Sequence, residues 1–415
     1  MSLFNIIAIV ISISAIFSFI NHKYIKLPST IGIMLISFIV SMGIILSGKL
    51  GFDTGVTSLV RSIDFNEALM IGMLSYLLFA GSLHVNLEDL LKNKLEIGAF
   101  ASIGVILSTF ICASLIYCVF WITKNPIEYI YCLLFGALIS PTDPIAVMGI
   151  LKHAGAPKKL EIKIAGESLF NDGIGVVVFL TIAGIASGES HLSAGHISHI
   201  IIQEVAGGAF LGLGLGYFSY LLLKQVDHYQ VEILITLALV TGGYALAMFL
   251  HISGPITIVI AGLLIGNKGR QFAMSEKTRE HLDTFWELID DILNSVLFVL
   301  IGFEILVISI SGYFIFMGFI AVFIVLFARF ISIGIPVFFL KKIRTFSPGA
   351  VKILTWGGLR GGISIALAIS LPLSPVRDLI ITMTYIVVIF SLLFQGLTME
   401  RLVKKYGTEK EDCSN

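Results

Sequence analysis

Charge is scarce in this sequence. Only 13% of its 415 residues are Asp, Glu, Lys or Arg, about half the roughly 25% of an ordinary soluble domain. The 27 basic residues are matched by 27 acidic ones, so no global basic patch speaks for nucleic acid or an anionic surface. Cysteine is scarce too. Of four, Cys112, Cys118 and Cys132 fall in apolar stretches and Cys413 in the tail, without the CxxC or Cys/His spacing of a redox or metal site. No basic segment precedes the first apolar run, Leu3 to Ile20, and no convincing cleavage site follows it, so it reads as a retained span and not a signal peptide. Low-complexity segments and long linkers are also missing. What remains is an excess of apolar residues, 57% of the chain with a mean hydropathy of +0.97. At about 20 residues per crossing, the length is used up by membrane spans, and function belongs inside the bilayer.

Apolar runs recur at about 3–20, 28–48, 67–84, 96–122, 128–151, 161–187, 196–223, 230–250, 254–266, 287–307, 311–340, 350–371 and 376–399. Their continuity excludes a β-barrel, which alternates, and predicts an all-α polytopic membrane protein of about thirteen helices. Lys and Arg test the count independently, because they concentrate on the cytoplasmic loops. They fall 21 on one set of alternate loops, 4 on the other (Lys49, Arg61, Lys124, Arg377) and 2 inside spans (Arg329, Arg360). The bias places the N-terminus outside, the C-terminus in the cytoplasm and the chain in the inner (cytoplasmic) membrane. Short interfacial helices are expected within Asn86–Leu95 and Lys268–Asp283.

Ionisable groups deep in a bilayer are costly and mark function by default. The fifth run contains Ser140-Pro141-Thr142-Asp143-Pro144. Two prolines bracketing Thr-Asp remove backbone donors and disfavour the α region before each of them, so the helix is predicted to break. An unwound turn frees carbonyls beside a carboxylate, which are oxygen ligands for a hard monovalent cation. The sixth run contains Gly166-Glu167-Ser168-Leu169-Phe170-Asn171-Asp172-Gly173. At about 100° per residue, Glu167, Ser168, Asn171 and Asp172 share an arc of about 140° on one helix face. Polar helix–helix packing explains Ser168 or Asn171 alone. It does not explain Glu167, Asp172 and Asp143 together, since three buried carboxylates repel unless protons or cations intervene.

Two intramembrane arginines balance that charge: Arg329 in the eleventh run, and Arg360 in the twelfth within Gly357-Gly358-Leu359-Arg360-Gly361-Gly362. The four glycines make the twelfth run a second candidate for unwinding. Whether these arginines tie helices together through backbone carbonyls or flank an ion path stays open. The fifth and twelfth runs are seven apart. They occupy matching positions if runs one to six and eight to thirteen are two inverted repeats joined by the seventh, and paired interrupted helices of that kind point to a midplane transport site. Glu204, Asp290, Asp291, Glu304 and His251 lie near span ends or on faces with few polar neighbours and read as solvated or packing residues. Gly207-Gly208, Gly212, Gly214 and Gly216 read as a small-residue packing seam.

Together, Ser140-Pro-Thr-Asp-Pro144, Gly166-Glu-Ser-Leu-Phe-Asn-Asp-Gly173 and Gly357-Gly-Leu-Arg-Gly361 resemble bacterial sodium/proton antiporters of the monovalent cation:proton antiporter-1 family, relatives of the eukaryotic sodium/proton exchangers. The resemblance covers essentially the whole chain. It implies that Asp172 is the carboxylate that binds either cation or proton, that Asp143, Ser168, Glu167 and the backbone carbonyl of Thr142 complete the coordination of the transported ion, and that Asn171 holds the site together. It pairs Arg329 with Glu167, a role in competition with ligation. It implies a homodimer in which a core bundle (about 96–187 and 311–399) slides against an interface bundle (about 1–84 and 196–307) in elevator fashion. An Asn at 171 in place of a second Asp goes with electroneutral exchange. Na+ or Li+ and H+ are substrates, and no cofactor is implied. One departure is Leu78-Phe79-Ala80-Gly81, where many relatives read Leu-Phe-Glu-Gly, which leaves Arg360 without an acidic partner from that helix.

The leading expectation is therefore Na+ (or Li+)/H+ antiport, with K+/H+ exchange as the alternative within the family. An intramembrane aspartyl protease using Asp143 and Asp172 as a dyad is disfavoured, because their contexts lack a Gly-x-Gly-Asp pattern and it leaves Glu167 and the arginines idle. A cation channel is disfavoured by the lack of a filter loop.

Overall fold

Helices and the turns between them make up all the described residues. A computed structural model describes residues 3–406 except 51–54, 56–59, 61–64, 144–146, 149–150, 152–155, 188–193, 309–310, 345, 347–348 and 372–373. In chain order the main helices are α1 (Leu3–Ile20), α2 (Ser29–Lys49), α3 (Phe65–Leu83), α4 (Lys94–Ile122), α5 (Tyr129–Ile139), α6 (Lys158–Ala186) and α7 (Ala194–Leu223). They continue with α8 (Tyr229–Phe249), α9 (Gly254–Leu264), α10 (Glu276–Glu304), α11 (Gly312–Leu340), α12 (Ala350–Trp356), α13 (Gly362–Ile369) and α14 (Pro375–Phe390). A helix satisfies its backbone within itself, the requirement a bilayer imposes.

Among the described residues nine helices are long and apolar enough to cross a membrane: α1 to α4, α6 to α8, α11 and α14 with its extension to Tyr406. Each of the thirteen apolar runs carries helix, but four fall short of a crossing by length and composition, each for a local reason. α5 has 11 residues because proline stops it. α9 also has 11, and the chain beyond it turns polar at Asn267, Lys268 and Arg270. α10 is long, but its first half is charged, and the buried stretch begins in earnest at Leu297. The twelfth run is split into α12 and α13 by five residues, Gly357–Gly361. Short helices Leu87–Lys92 and Arg270–Ala273 occupy the two loops expected to hold them. The first is capped by Asn86, whose side chain accepts from the Asp89 amide at 3.1 Å.

Packing separates two groups of helices. One buried cluster draws on α4, α5, α6, α11, α13 and α14, with Phe135, Phe179, Met317 and Leu367 at its centre. A second is built mainly from α3, α8, α9 and α10 around Trp286, which is fully buried and donates its indole N–H to Thr236 Oγ1 at 3.1 Å. A third joins α1, α2 and the end of α10 to α12 and α14. The glycine seam of α7 meets α9. A Cβ at Gly212 would lie 2.5 Å from the Thr257 carbonyl, so only glycine permits that approach, whereas Gly214 faces open space. Cys112 and Cys132 are buried and Cys118 exposed, all three as free thiols. Cys413 lies outside the described residues.

Candidate ion-binding site

Two interrupted helices meet where the first and third clusters adjoin. α5 ends at Ile139, and Ser140, Pro141, Thr142 and Asp143 follow without helical structure, as expected where proline withholds an amide and restricts its predecessor. Pro144 lies outside the described residues. On the other side of the crossing, Gly357–Gly361 separate α12 from α13. The two unwound turns touch through their main chains, the Asp143 amide donating to the Leu359 carbonyl at 2.8 Å. Gly361 allows this contact, because a Cβ there would overlap Asp143 Oδ2.

Arg360 lies on this crossing, 1% exposed. Its Nη1 donates to the carbonyls of Ser140 and Pro141, the latter at 2.8 Å, and its amide donates to Ser391 Oγ at 2.9 Å. The carbonyl end of a helix carries a partial negative charge, so the guanidinium at the end of α5 is held by a dipole. Of the two readings of this arginine, its contacts are those of a tie between helices through backbone carbonyls. Gln395 completes the support by donating to the Trp356 carbonyl at the end of α12, at 2.9 Å.

The polar face of α6 packs against the first unwound turn. Glu167, Ser168, Asn171 and Asp172 are all buried. Asn171 clasps Thr142 with both ends of its amide: Oδ1 accepts from the Thr142 amide at 3.3 Å, and Nδ2 donates to Thr142 Oγ1 at 2.8 Å. Ser168 Oγ shares a hydrogen bond with Thr142 Oγ1 at 3.0 Å. Asp172 stands one helical turn beyond Ser168, close enough to Asp143 for each charge to act on the other. Gly175, one residue short of a turn further, admits the Pro141 ring, which a Cβ would displace.

Glu167, at the edge of the same face, is ion-paired with Arg329, both buried. Arg329 also donates to the Leu354 carbonyl of α12 at 3.4 Å. Of the predicted residues, Thr142 is hydrogen-bonded to both Ser168 and Asn171, and Asp172 and Asp143 lie within electrostatic reach of each other. Glu167 is paired with Arg329, and Arg360 bonds the carbonyls of Ser140 and Pro141.

Sequence reasoning passed over three residues here. Ser391 lies in an apolar run where a lone serine ordinarily bonds back to its own helix. Gln395 belongs to the same π-type turn, Ser391–Gln395, a feature that recurs at functional sites. Asp290, read as a solvated or packing residue, is half-buried on α10, hydrogen-bonded to Asn294 and within electrostatic reach of Asp143. Its i, i+4 spacing to Asn294 was the available signal.

The pattern of the transmembrane sodium/hydrogen exchanger family matches residues 8–405. The Na+/H+ antiporter NhaP of Pseudomonas aeruginosa is 46% identical over 408 residues, which cover 97% of this chain and 96% of that one. The Na+/H+ antiporter NhaH of Halobacillus dabanensis is 32% identical over 411 residues, 97% and 96% of the two chains. The structure of the sodium proton antiporter MjNhaP1 from Methanocaldococcus jannaschii at pH 8 superposes with a TM-score of 0.79 over 99% of this chain and 100% of that one. At 18% identity that likeness is one of fold. With nearly its whole length matched and its motifs assembled at one crossing, the chain belongs to the sodium/hydrogen exchanger family.

Proposed function

We propose that this protein is a secondary transporter that exchanges Na+ or Li+ for H+, one for one, and that Asp172 is the group for which the two ions compete. The observation that carries the reading is the collection of Asp172, Asp143, Thr142 and Ser168 at the meeting of α6 with an unwound turn, in a chain 46% identical to a named Na+/H+ antiporter. A carboxylate removed from water holds its proton more tightly, and neighbouring polar ligands and cations oppose that effect. Competition at one carboxylate is sufficient for coupling if the protein alternates access only when the site is occupied. Asp143, Ser168 and the Thr142 oxygens complete the cation's shell, and no group in the scheme requires a resident cofactor.

The first cluster, whose buried residues all fall within 96–187 and 311–399, supports a moving core of about those bounds; the remainder, about 1–84 and 196–307, is the fixed bundle that forms the homodimer contact. The Lys and Arg bias supports an N-terminus outside and a C-terminus in the cytoplasm of an inner-membrane protein. Electroneutrality follows from Asn171, which does not titrate, and from Glu167, whose charge is held by Arg329.

The test is a proteoliposome with an imposed potassium-diffusion potential of either sign. One-for-one exchange gives the same balance of sodium and proton gradients at every voltage, because a net charge moved per cycle would feel about 2.3 kcal/mol per 100 mV. A balance point that follows the voltage refutes it and makes Glu167 a second proton carrier. Potassium alone driving the proton flux would move the substrate to K+. For the ligand shell, Ser168→Ala is expected to raise the apparent Michaelis constant for Na+ about fivefold, the worth of one neutral polar contact, with maximal rate retained. An unchanged constant would reduce Ser168 to packing.

A further inference from the structure

Three residues around one small cavity each carry a buried polar atom without a hydrogen-bond partner. Arg329 Nε, Arg360 Nη2 and Thr355 Oγ1 are each buried without a hydrogen-bond partner. Their residues line the same internal cavity of about 10 Å³, together with Gly358, Gln395 and Val325. Buried polar groups are almost always partnered, and here three that are not belong to residues lining a common space. Gly358 makes room for the Arg329 guanidinium, since a Cβ there would lie 2.6 Å from Nε. The volume is that of about one water molecule, and a buried water takes two to four polar partners. Two guanidinium donors also suit an anion, but a halide is larger than a water and would have to displace apolar walls such as Val325.

We propose that one ordered water occupies this cavity, accepting hydrogen bonds from Arg329 Nε and Arg360 Nη2 and donating to Thr355 Oγ1. The consequence is a continuous chain of contacts through the bracing groups. Glu167 holds Arg329, the water joins Arg329 to Arg360, and Arg360 holds the carbonyls of Ser140 and Pro141 beside Thr142 and Asp143. The water also separates two like charges with a dipole that serves both. Thr355 is thus a positioning residue for the unwound turn, acting through the water and Arg360, and touches no transported ion.

The first test is a crystal structure of the full chain grown from a lipid mesophase, at a resolution that shows ordered water and with bromide in place of chloride. The expected result is a single water-sized peak within hydrogen-bonding distance of all three atoms and no anomalous signal. A dry cavity, side chains turned onto other protein acceptors, or a bromide peak would overturn the proposal. The second test compares Thr355→Val with Thr355→Ser. The valine variant is expected to lose the water and to raise the apparent sodium constant about fivefold, the factor associated with one lost neutral hydrogen bond, at unchanged maximal rate. The serine variant is expected to keep both. A valine variant with the wild-type constant removes the positioning role. Should the valine variant fail to fold, the wild-type density and the serine variant still decide. The transport arm rests on the proposed exchange activity, whereas the density arm does not, so their failures are distinguishable.

Discussion

Asp172→Asn is expected to abolish sodium-driven proton movement completely while leaving a folded, monodisperse protein. Asparagine reproduces the size of the side chain and its capacity to accept a hydrogen bond, so the packing of α6 against the Ser140–Asp143 turn is kept. What it removes is the one property the exchange requires at that position, a charge present when the proton has left. Thr142 and Ser168 still offer oxygens, and Asp143 still offers a carboxylate, but the amide neither releases a proton nor balances a cation. In proteoliposomes carrying a fluorescent pH reporter, Na+ and Li+ should give the trace of protein-free vesicles. Proton efflux near the wild-type rate from Asp172→Asn vesicles would end the idea of competition at that carboxylate and shift attention to Asp143.

The second large effect concerns folding. Arg329→Ala leaves Glu167, 1% exposed, as an uncompensated buried charge. Removal of one partner of such a pair costs about 3–5 kcal/mol, a large part of the 5–15 kcal/mol that typically separates folded from unfolded protein. The variant should lose much of its thermal stability in detergent and be recovered in low yield. Replacing both partners with apolar residues of similar volume, as in Arg329→Met with Glu167→Leu, should restore most of the stability, because the cost of an unpaired charge disappears with the charge. If the double variant is as unstable as the single one, the pair does more than neutralise itself. If Arg329→Ala alone is as stable as wild type, the pairing described here is not the one that holds α6 to α11.

Much of this site is readable in the linear sequence because its determinants are local. Two prolines three residues apart specify a break without reference to any partner. The 3.6-residue repeat is enough to put Glu167, Ser168, Asn171 and Asp172 on one face. The glycines around Arg360 announce a second break in the same way. What is not readable depends on contacts between distant segments. For Arg360 the sequence left two readings open, a tie through backbone carbonyls or a place beside an ion path, and could not say which carbonyls. The folded chain supplies two carbonyls from residues about 220 positions earlier, and a carbonyl leaves no trace in residue identity. Asp290 was passed over for the same reason, since its interest lies in a carboxylate on another helix. The count of crossings suffers differently: α5, α12 and α13 are short because they are broken for the site, so the features that make the site also weaken the hydropathy signal.

The contact between the Asp143 amide and the Leu359 carbonyl has a consequence for how this protein can be dissected. It is made by atoms that every amino acid except proline shares, so an alanine scan passes over both positions without touching the bond that joins the two broken helices. Residue-by-residue replacement would score the side-chain ties around the crossing, such as that of Arg360, and miss the share of rigidity that belongs to the peptide groups. Chemistry that edits the backbone reaches it: exchanging the amide of Asp143 for an ester, by incorporation of the α-hydroxy analogue of aspartate, deletes the donor and keeps the carboxylate.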